Sequence, residues 1–128
     1  MSVHCGCGCE GGAPKIIFCC AGAADIGATA YGAARKLTEE GYGSLACLAL
    51  VGAGSEGLIL SARFAGKVLA MDGCPLDCTR KMLEKAGIEN FEHFRLTDVG
   101  MKKGECPPTE ENIEKAAAEG RTLLAAGK

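Results

Sequence analysis

The eleven residues MDGCPLDCTRK, at positions 71 to 81, hold two thiols within one short segment. The thiols belong to Cys74 and Cys78, and three residues separate them. Zinc sites often use two cysteines with two to four residues between them, because Zn²⁺ binds thiolate sulfur well. The same pair is compatible with a redox couple, with one nucleophilic thiolate or with small buried side chains. The spacing alone therefore leaves the role of the pair open.

The whole chain of 128 residues contains nine cysteines, which is an odd number. Its start, MSVHCGCGCEGG, lacks the charged and apolar regions of a secretory signal, so we expect a cytoplasmic protein with reduced thiols. Clustered cysteines then favour metal binding or thiol chemistry over a disulfide framework. The net charge of −2 indicates no nucleic-acid surface, and no apolar run approaches the roughly 18 residues of a membrane helix. Nothing in the sequence identifies a protein partner.

Apolar segments and helical patterns alternate along the chain after residue 13. Four segments are rich in apolar residues and predict strands: 15–22, 44–52, 67–73 and 91–100. Four segments with helical patterns follow them in turn: 24–41, 55–66, 75–87 and 109–127. This order predicts one α/β domain over residues 14–128, with three layers and a mostly parallel four-stranded sheet. Helices are expected on both faces, as in Rossmann-like or flavodoxin-like folds, and residues 1–13 are expected to form a flexible segment.

Most of the cysteines fall where a parallel sheet binds its ligands, beyond the carboxyl ends of the strands. Cys20 ends the first predicted strand, and Cys74 ends the third. The predicted helix that follows begins at Pro75, so that Cys74 is its N-cap and Cys78 lies in its first turn. Cys47 is predicted to lie in the middle of the second strand. A helix N-terminus stabilises thiolates, which serves a metal ligand and a nucleophile equally well.

Four segments together resemble the DGC-domain family of small zinc-binding proteins: FCCAGAADIG, LACLA, MDGCPLDCTRKMLEKAG and FEHFRLTDVGMKKG. The family takes its name from an Asp-Gly-Cys motif, which here is Asp72-Gly73-Cys74. The resemblance extends from about Lys15 to the last predicted helix. It implies a metal site with four cysteine ligands: Cys20, Cys47, Cys74 and Cys78. Zinc is the metal that it implies, and an iron–sulfur cluster, which can use the same ligands, is the second choice. The doubled Cys19-Cys20 departs from the family pattern.

Enzymatic roles for Cys74 and Cys78 are the main alternative. Thiol–disulfide exchange is possible in principle, but the C-x-x-C spacing of the known oxidoreductases is absent. The interval from Cys74 to Arg80 also matches C-x5-R, in which a thiolate attacks a phosphoryl group held by backbone N–H groups. Pro75 removes one such donor and Asp77 adds a negative charge, which disfavours this chemistry. The sequence therefore favours binding over catalysis and keeps a redox or nucleophilic enzyme as the alternative.

Three further features carry weaker signals. Residues 52–57, GAGSEG, match the dinucleotide pattern G-x-G-x-x-G, although Glu56 would lie close to a pyrophosphate. The head, HCGCGC at residues 4–9, offers soft ligands between glycines, or it is a tail with incidental thiols. His93, on the alternating fourth strand, is expected to have a structural role.

Overall fold

The computed structural model describes residues 14–20 and 22–125, so the predictions for the HCGCGC head lie outside the described residues. Four strands form the sheet: β1 (Lys15–Cys19), β2 (Ser44–Leu45), β3 (Lys67–Asp72) and β4 (Phe91–Arg95). Five α-helices accompany them: α1 (Asp25–Glu39), α2 (Leu48–Gly52), α3 (Glu56–Arg63), α4 (Cys78–Lys85) and α5 (Glu110–Ala125). A short 3-10 helix, Leu96–Val99, follows β4. No helix in these ranges is long and apolar enough to cross a membrane.

The sheet has the strand order β2-β1-β3-β4, and all three pairs of neighbours are parallel. One face of the central strands packs against α1 and α5 through four buried side chains: Ile17, Cys19, Leu69 and Met71. The other face packs against α2, α3 and α4 through four more: Ile16, Phe18, Val68 and Ala70. Burial on both faces explains why these strands are continuous apolar runs. The three-layer α/β prediction is confirmed, and β4 lies at one edge of the sheet.

The second predicted strand is wrong over most of its length. Within residues 44–52, only Ser44–Leu45 form a strand, and Leu48–Gly52 form helix α2. A short apolar run fits a buried strand and a helix equally well, because its periodicity does not separate the two. In α2 only Val51 is buried, whereas Leu50 is 47% exposed. The second strand is therefore a short sheet edge, and its chain leaves the sheet before Cys47.

The predicted start of the third helix is also wrong. The helix begins at Cys78 instead of Pro75, and its N-cap is Asp77 instead of Cys74. Asp77 has a positive φ of 55°, a left-handed conformation that Asp tolerates better than most residues. Residues 74–77 therefore form a turn between β3 and the helix. Cys74 lies in that turn, and Leu76 within the same turn is 58% exposed.

Candidate functional site

A cavity of about 180 Å³ lies at the carboxyl edge of the sheet, between the loops that follow β1 and β3. Helix α1 leads from β1 to β2 on one side, while β3 lies on the other side of β1. The two loops therefore diverge, and parallel α/β sheets bind ligands in the crevice that such a divergence opens.

Three of the four predicted metal ligands line this cavity: Cys20, Cys74 and Cys78. Cys20 and Cys74 are half-buried, and Cys78 is exposed. Within residues 14–20 and 22–125, no three cysteine sulfurs lie within 4.8 Å of one another. These three thiols therefore line one cavity but do not form a compact cluster.

Cys47, the fourth predicted ligand, lies elsewhere. It immediately precedes α2 and is exposed, so the prediction that it lies in the middle of a strand is wrong. Its side chain borders a neighbouring cavity of about 520 Å³, together with Cys19 and Cys20. Cys20 lines both cavities and is the residue that joins them. The assignment of Cys47 as a ligand stays a prediction.

Asp72, the first residue of the Asp-Gly-Cys motif, caps helix α4 from the end of β3. Its carboxylate accepts the backbone N–H of Thr79 at 2.8 Å and that of Arg80 at 3.2 Å, and it lies 2.9 Å from Nε2 of His93. Only 1% of Asp72 is exposed. Burial alone would raise the pKa of this carboxyl group, but the hydrogen bonds from His93 and Thr79 outweigh burial and lower the pKa. Asp72 therefore sets where α4 starts.

Gly73, the second residue of the motif, allows the loop after β3 to lie against the first turn of α1. A Cβ at this position would lie 3.0 Å from the backbone nitrogen of Gly27 and 3.0 Å from the carbonyl carbon of Ile26. A Cβ on Gly27 would in turn lie 2.9 Å from the Cα of Gly22. Backbone atoms lie at both contacts, and the Cγ2 atom of Ile26 also lies 3.0 Å from the Cβ position of residue 73, so a side chain at either glycine would force its neighbours to shift. Gly22, Gly27 and Gly73 therefore bring Cys20 close to the segment that carries Cys74.

Asp72, Asp77 and His93 form a group whose potential ligand atoms all lie within 4.8 Å of one another. Carboxylate oxygens and imidazole can bind metals, but these groups already have protein partners. Asp77 makes a two-pronged salt bridge with Arg95, at 2.7 and 2.8 Å, and Asp72 accepts the bonds described above. A guanidinium at this distance also opposes a second cation. The group acts as a polar network that holds β3, β4 and α4 together, which agrees with the structural role predicted for His93.

The thiols of the adjacent residues Cys19 and Cys20 have pKa values that are shifted in opposite directions. The hydrogen bond between the two side chains, and burial of Cys19, raise the pKa of Cys19. The same hydrogen bond lowers the pKa of Cys20 to about 7, against the effect of burial, and backbone hydrogen bonds from Gly73 and Gly22 lower it further. Cys20 is therefore the thiolate of the pair, and thiolates are the form of cysteine that binds metals and attacks electrophiles.

We expect Cys20 of the metal-free protein to react with iodoacetamide at a rate that is half-maximal near pH 7, because its pKa is about 7 instead of 9.0. Mass spectrometry of the alkylated peptides, taken over a range of pH, measures this midpoint. Changing Cys19→Ala removes the hydrogen-bond donor, so the midpoint should move to higher pH. A midpoint near 9 in the unaltered protein would contradict the assignment of the thiolate.

Two alternative motifs lack the structure that their chemistry requires. An anion held between Cys74 and Arg80 would need the backbone N–H groups at the start of α4, but Asp72 already accepts those of Thr79 and Arg80. Residues 52–57 begin with the last residue of helix α2 instead of following a strand, so the strand–turn–helix context of a dinucleotide site is absent there. The structure supports neither phosphoryl transfer nor dinucleotide binding at these positions.

The loop after β4 contributes Lys103 to the cavity, a position that no motif in the sequence predicts. Asp25, at the start of α1, accepts the backbone N–H of Gly104 and that of Cys106, each at 2.9 Å, and so fixes this loop. These bonds hold the pKa of Asp25 below its usual value. The side chain of Cys106 is buried against Met101, with 3.5 Å between the two sulfurs, and does not line the cavity.

Comparison with known proteins agrees with the motifs. The family described as the DGC domain matches residues 16–119, a range that includes every residue lining the cavity. The chain is also similar to the "Anaerobic and virulence modulator AnvM" of Pseudomonas aeruginosa, with 30% identity over 88 residues. The aligned region covers 69% of this chain and 67% of that protein. No solved structure matches this chain.

Proposed function

Because the chain belongs to the DGC-domain family, we propose that it binds a thiophilic metal ion at the carboxyl edge of its sheet, through Cys20, Cys74 and Cys78. Zinc is the metal proposed, as the family resemblance implies. The observation that carries the proposal is the convergence of these cysteines, from two separate loops, on one cavity at the divergence of those loops. Cys47 is the fourth cysteine of the set that the resemblance implies. Substituting Cys47 tests whether it also binds the metal.

The surroundings of Cys20 support this proposal. Zinc binds the thiolate form of cysteine. Because the pKa of Cys20 is about 7, a large fraction of this residue is already deprotonated at neutral pH. Its sulfur has hydrogen bonds from the backbone of Gly22 and Gly73. Such bonds spread the negative charge of a metal-bound thiolate and orient the ligand. The donor set, sulfur only, suits zinc and iron–sulfur clusters better than magnesium or calcium.

Metal analysis of the full chain, purified without oxygen, tests the proposal. We expect about one zinc ion per chain at this site and no visible absorption, since Zn²⁺ has a filled d shell. A variant with Cys5, Cys7 and Cys9 changed to serine should keep this zinc, which separates the site from the head. Bound iron together with visible absorption would show that the site holds an iron–sulfur cluster instead of zinc. If the protein does not bind zinc and forms a reversible Cys74–Cys78 disulfide, the metal-binding proposal would be rejected in favour of redox chemistry.

A further inference from the structure

We infer that the outer face of helix α3 is a dimer interface, against which the same helix of a second copy of this chain packs in the antiparallel direction. Four exposed residues form the outer face: Gly57, Leu60, Ser61 and Phe64, the last of which directly follows the helix. Spacings of three, four and seven residues place them on one side of α3. Phe64 is 79% exposed and Leu60 is 50% exposed, so the face presents two large apolar side chains to solvent.

Gly57 gives the outer face a depression that its own chain does not fill. A Cβ at this position would meet no heavy atom within 4 Å, and Gly57 has no positive φ that would require glycine. Neither packing nor backbone conformation within the chain therefore explains a glycine here, although alanine stabilises a helix more than glycine does. Close approach by a group from outside the chain does explain it. In an antiparallel pair centred between Leu60 and Ser61, Phe64 of each copy lies over Gly57 of the other copy.

The charges beside this face are complementary in the same arrangement. Glu56 begins α3 and Arg63 ends it, seven residues apart and therefore on the same side of the helix. Neither forms a salt bridge in the part of the chain that the structure describes; Arg63 donates a hydrogen bond from Nε to the carbonyl oxygen of Gly87 at 3.1 Å. A twofold axis that reverses the helix direction brings Glu56 of each copy next to Arg63 of the other copy. Two equivalent salt bridges then fix the direction in which the copies pack.

The size of the outer face predicts a weak dimer. Each copy contributes two large apolar side chains, so the total area buried lies near the lower limit of about 1,000 Å² for a specific interface. We therefore expect a dissociation constant in the micromolar range, with Phe64 contributing most of the binding energy because aromatic side chains dominate such interfaces.

Sedimentation-velocity ultracentrifugation of the full chain tests this inference. Reductant and chelator are present, so that neither disulfides nor metal ions can join two chains. We expect an equilibrium between monomer and dimer over about 1 to 300 µM protein, and we expect Phe64→Ala to weaken dimerisation at least about tenfold. Leu76→Ala is the matched control, because Leu76 is also an exposed apolar side chain, at 58%, but lies in the turn after β3. The control should dimerise as the unaltered protein does.

Further variants test the geometry of the pair. Gly57→Leu fills the depression and should also weaken dimerisation about tenfold, while the monomer stays folded because the added side chain projects into open space. Glu56→Arg and Arg63→Glu, made singly, should each weaken dimerisation about threefold or more, because like charges then meet. The double variant with both changes should restore it, since the two charges exchange places.

The opposing outcomes are distinct. A chain that stays monomeric at about 300 µM would overturn the inference, and so would a dimer that Phe64→Ala leaves intact. If the double charge exchange does not restore dimerisation, the antiparallel arrangement is rejected. An association that reductant and chelator abolish would be due to the cysteines and would also overturn the interface. None of these results bears on metal binding by the cavity, which is measured separately.

Discussion

Replacing Cys20 by serine is expected to lower the zinc affinity of the protein by at least about a hundredfold, because a neutral hydroxyl is a far poorer zinc ligand than a thiolate. Cys20 is the cysteine whose pKa lies about 7, and it lines both cavities. Its loss removes the ligand supplied by the β1 loop and leaves only the pair on the β3 side. Competition with a chromogenic chelator measures the affinity, and elemental analysis measures the zinc that remains after purification.

Two matched substitutions make this result interpretable. Cys106→Ala removes a thiol that is buried away from the cavity, so the zinc content should not change. Cys47→Ser removes the predicted ligand that borders the neighbouring cavity, and a retained zinc content would show that Cys47 is not required for binding. Cys74→Ser and Cys78→Ser should lower zinc affinity in the same direction as Cys20→Ser. If Cys20→Ser bound zinc as tightly as the unaltered protein, Cys20 would leave the ligand set.

Asp72→Ala is expected to lower the free energy of unfolding by about 2 to 4 kcal/mol, a large effect for one substitution. The carboxylate is almost completely buried and accepts the N–H groups of Thr79 and Arg80. Its removal leaves these donors at the start of α4 without a partner, and His93 loses its hydrogen bond as well. Urea denaturation measures the change, with a chelator present so that metal binding does not contribute to the stability.

Asp98→Ala provides the control for this prediction. Asp98 is exposed and contacts Arg95 only at 3.4 Å, so its loss should change the stability by less than about 0.5 kcal/mol. Asp72→Asn retains one oxygen acceptor but loses the charge, and an intermediate loss is expected. An Asp72→Ala variant as stable as Asp98→Ala would show that the capping interaction is energetically unimportant.

The central part of the fold could be predicted because its signals are local. Strands β1 and β3 are buried on both faces, which produces the apolar runs that predict them. Their carboxyl ends must then meet at one edge, so the loops that carry Cys20 and Cys74 were expected to lie together. The position of the cavity, and the presence of Cys20, Cys74 and Cys78 in its lining, follow in outline from the order of the elements and the positions of the cysteines.

Other features depend on contacts between distant parts of the chain. Pro75 looked like a helix start, but the hydrogen bonds of Asp72 fix the first turn at Cys78. Cys47 could not be placed, because a short apolar run does not reveal whether it continues as a strand or as a helix. Lys103 lies at the cavity because Asp25 hydrogen-bonds to its loop, which is about 80 residues away in the sequence. No local sequence pattern predicts such a contact.

The glycine contacts between the two loops also bear on which ions fit. Gly73 lies against the backbone of Ile26 and Gly27 and against the branched side chain of Ile26, and Gly27 lies against Gly22. Backbone segments in direct contact cannot approach further, and the packed core on either side resists their separation. Adjustment to ionic radius is therefore left to the rotamers of the cysteine side chains. For the proposed metal, we expect such stiffness to make the spacing of the two loops select ions by size, through residues that donate no electron pair to the metal.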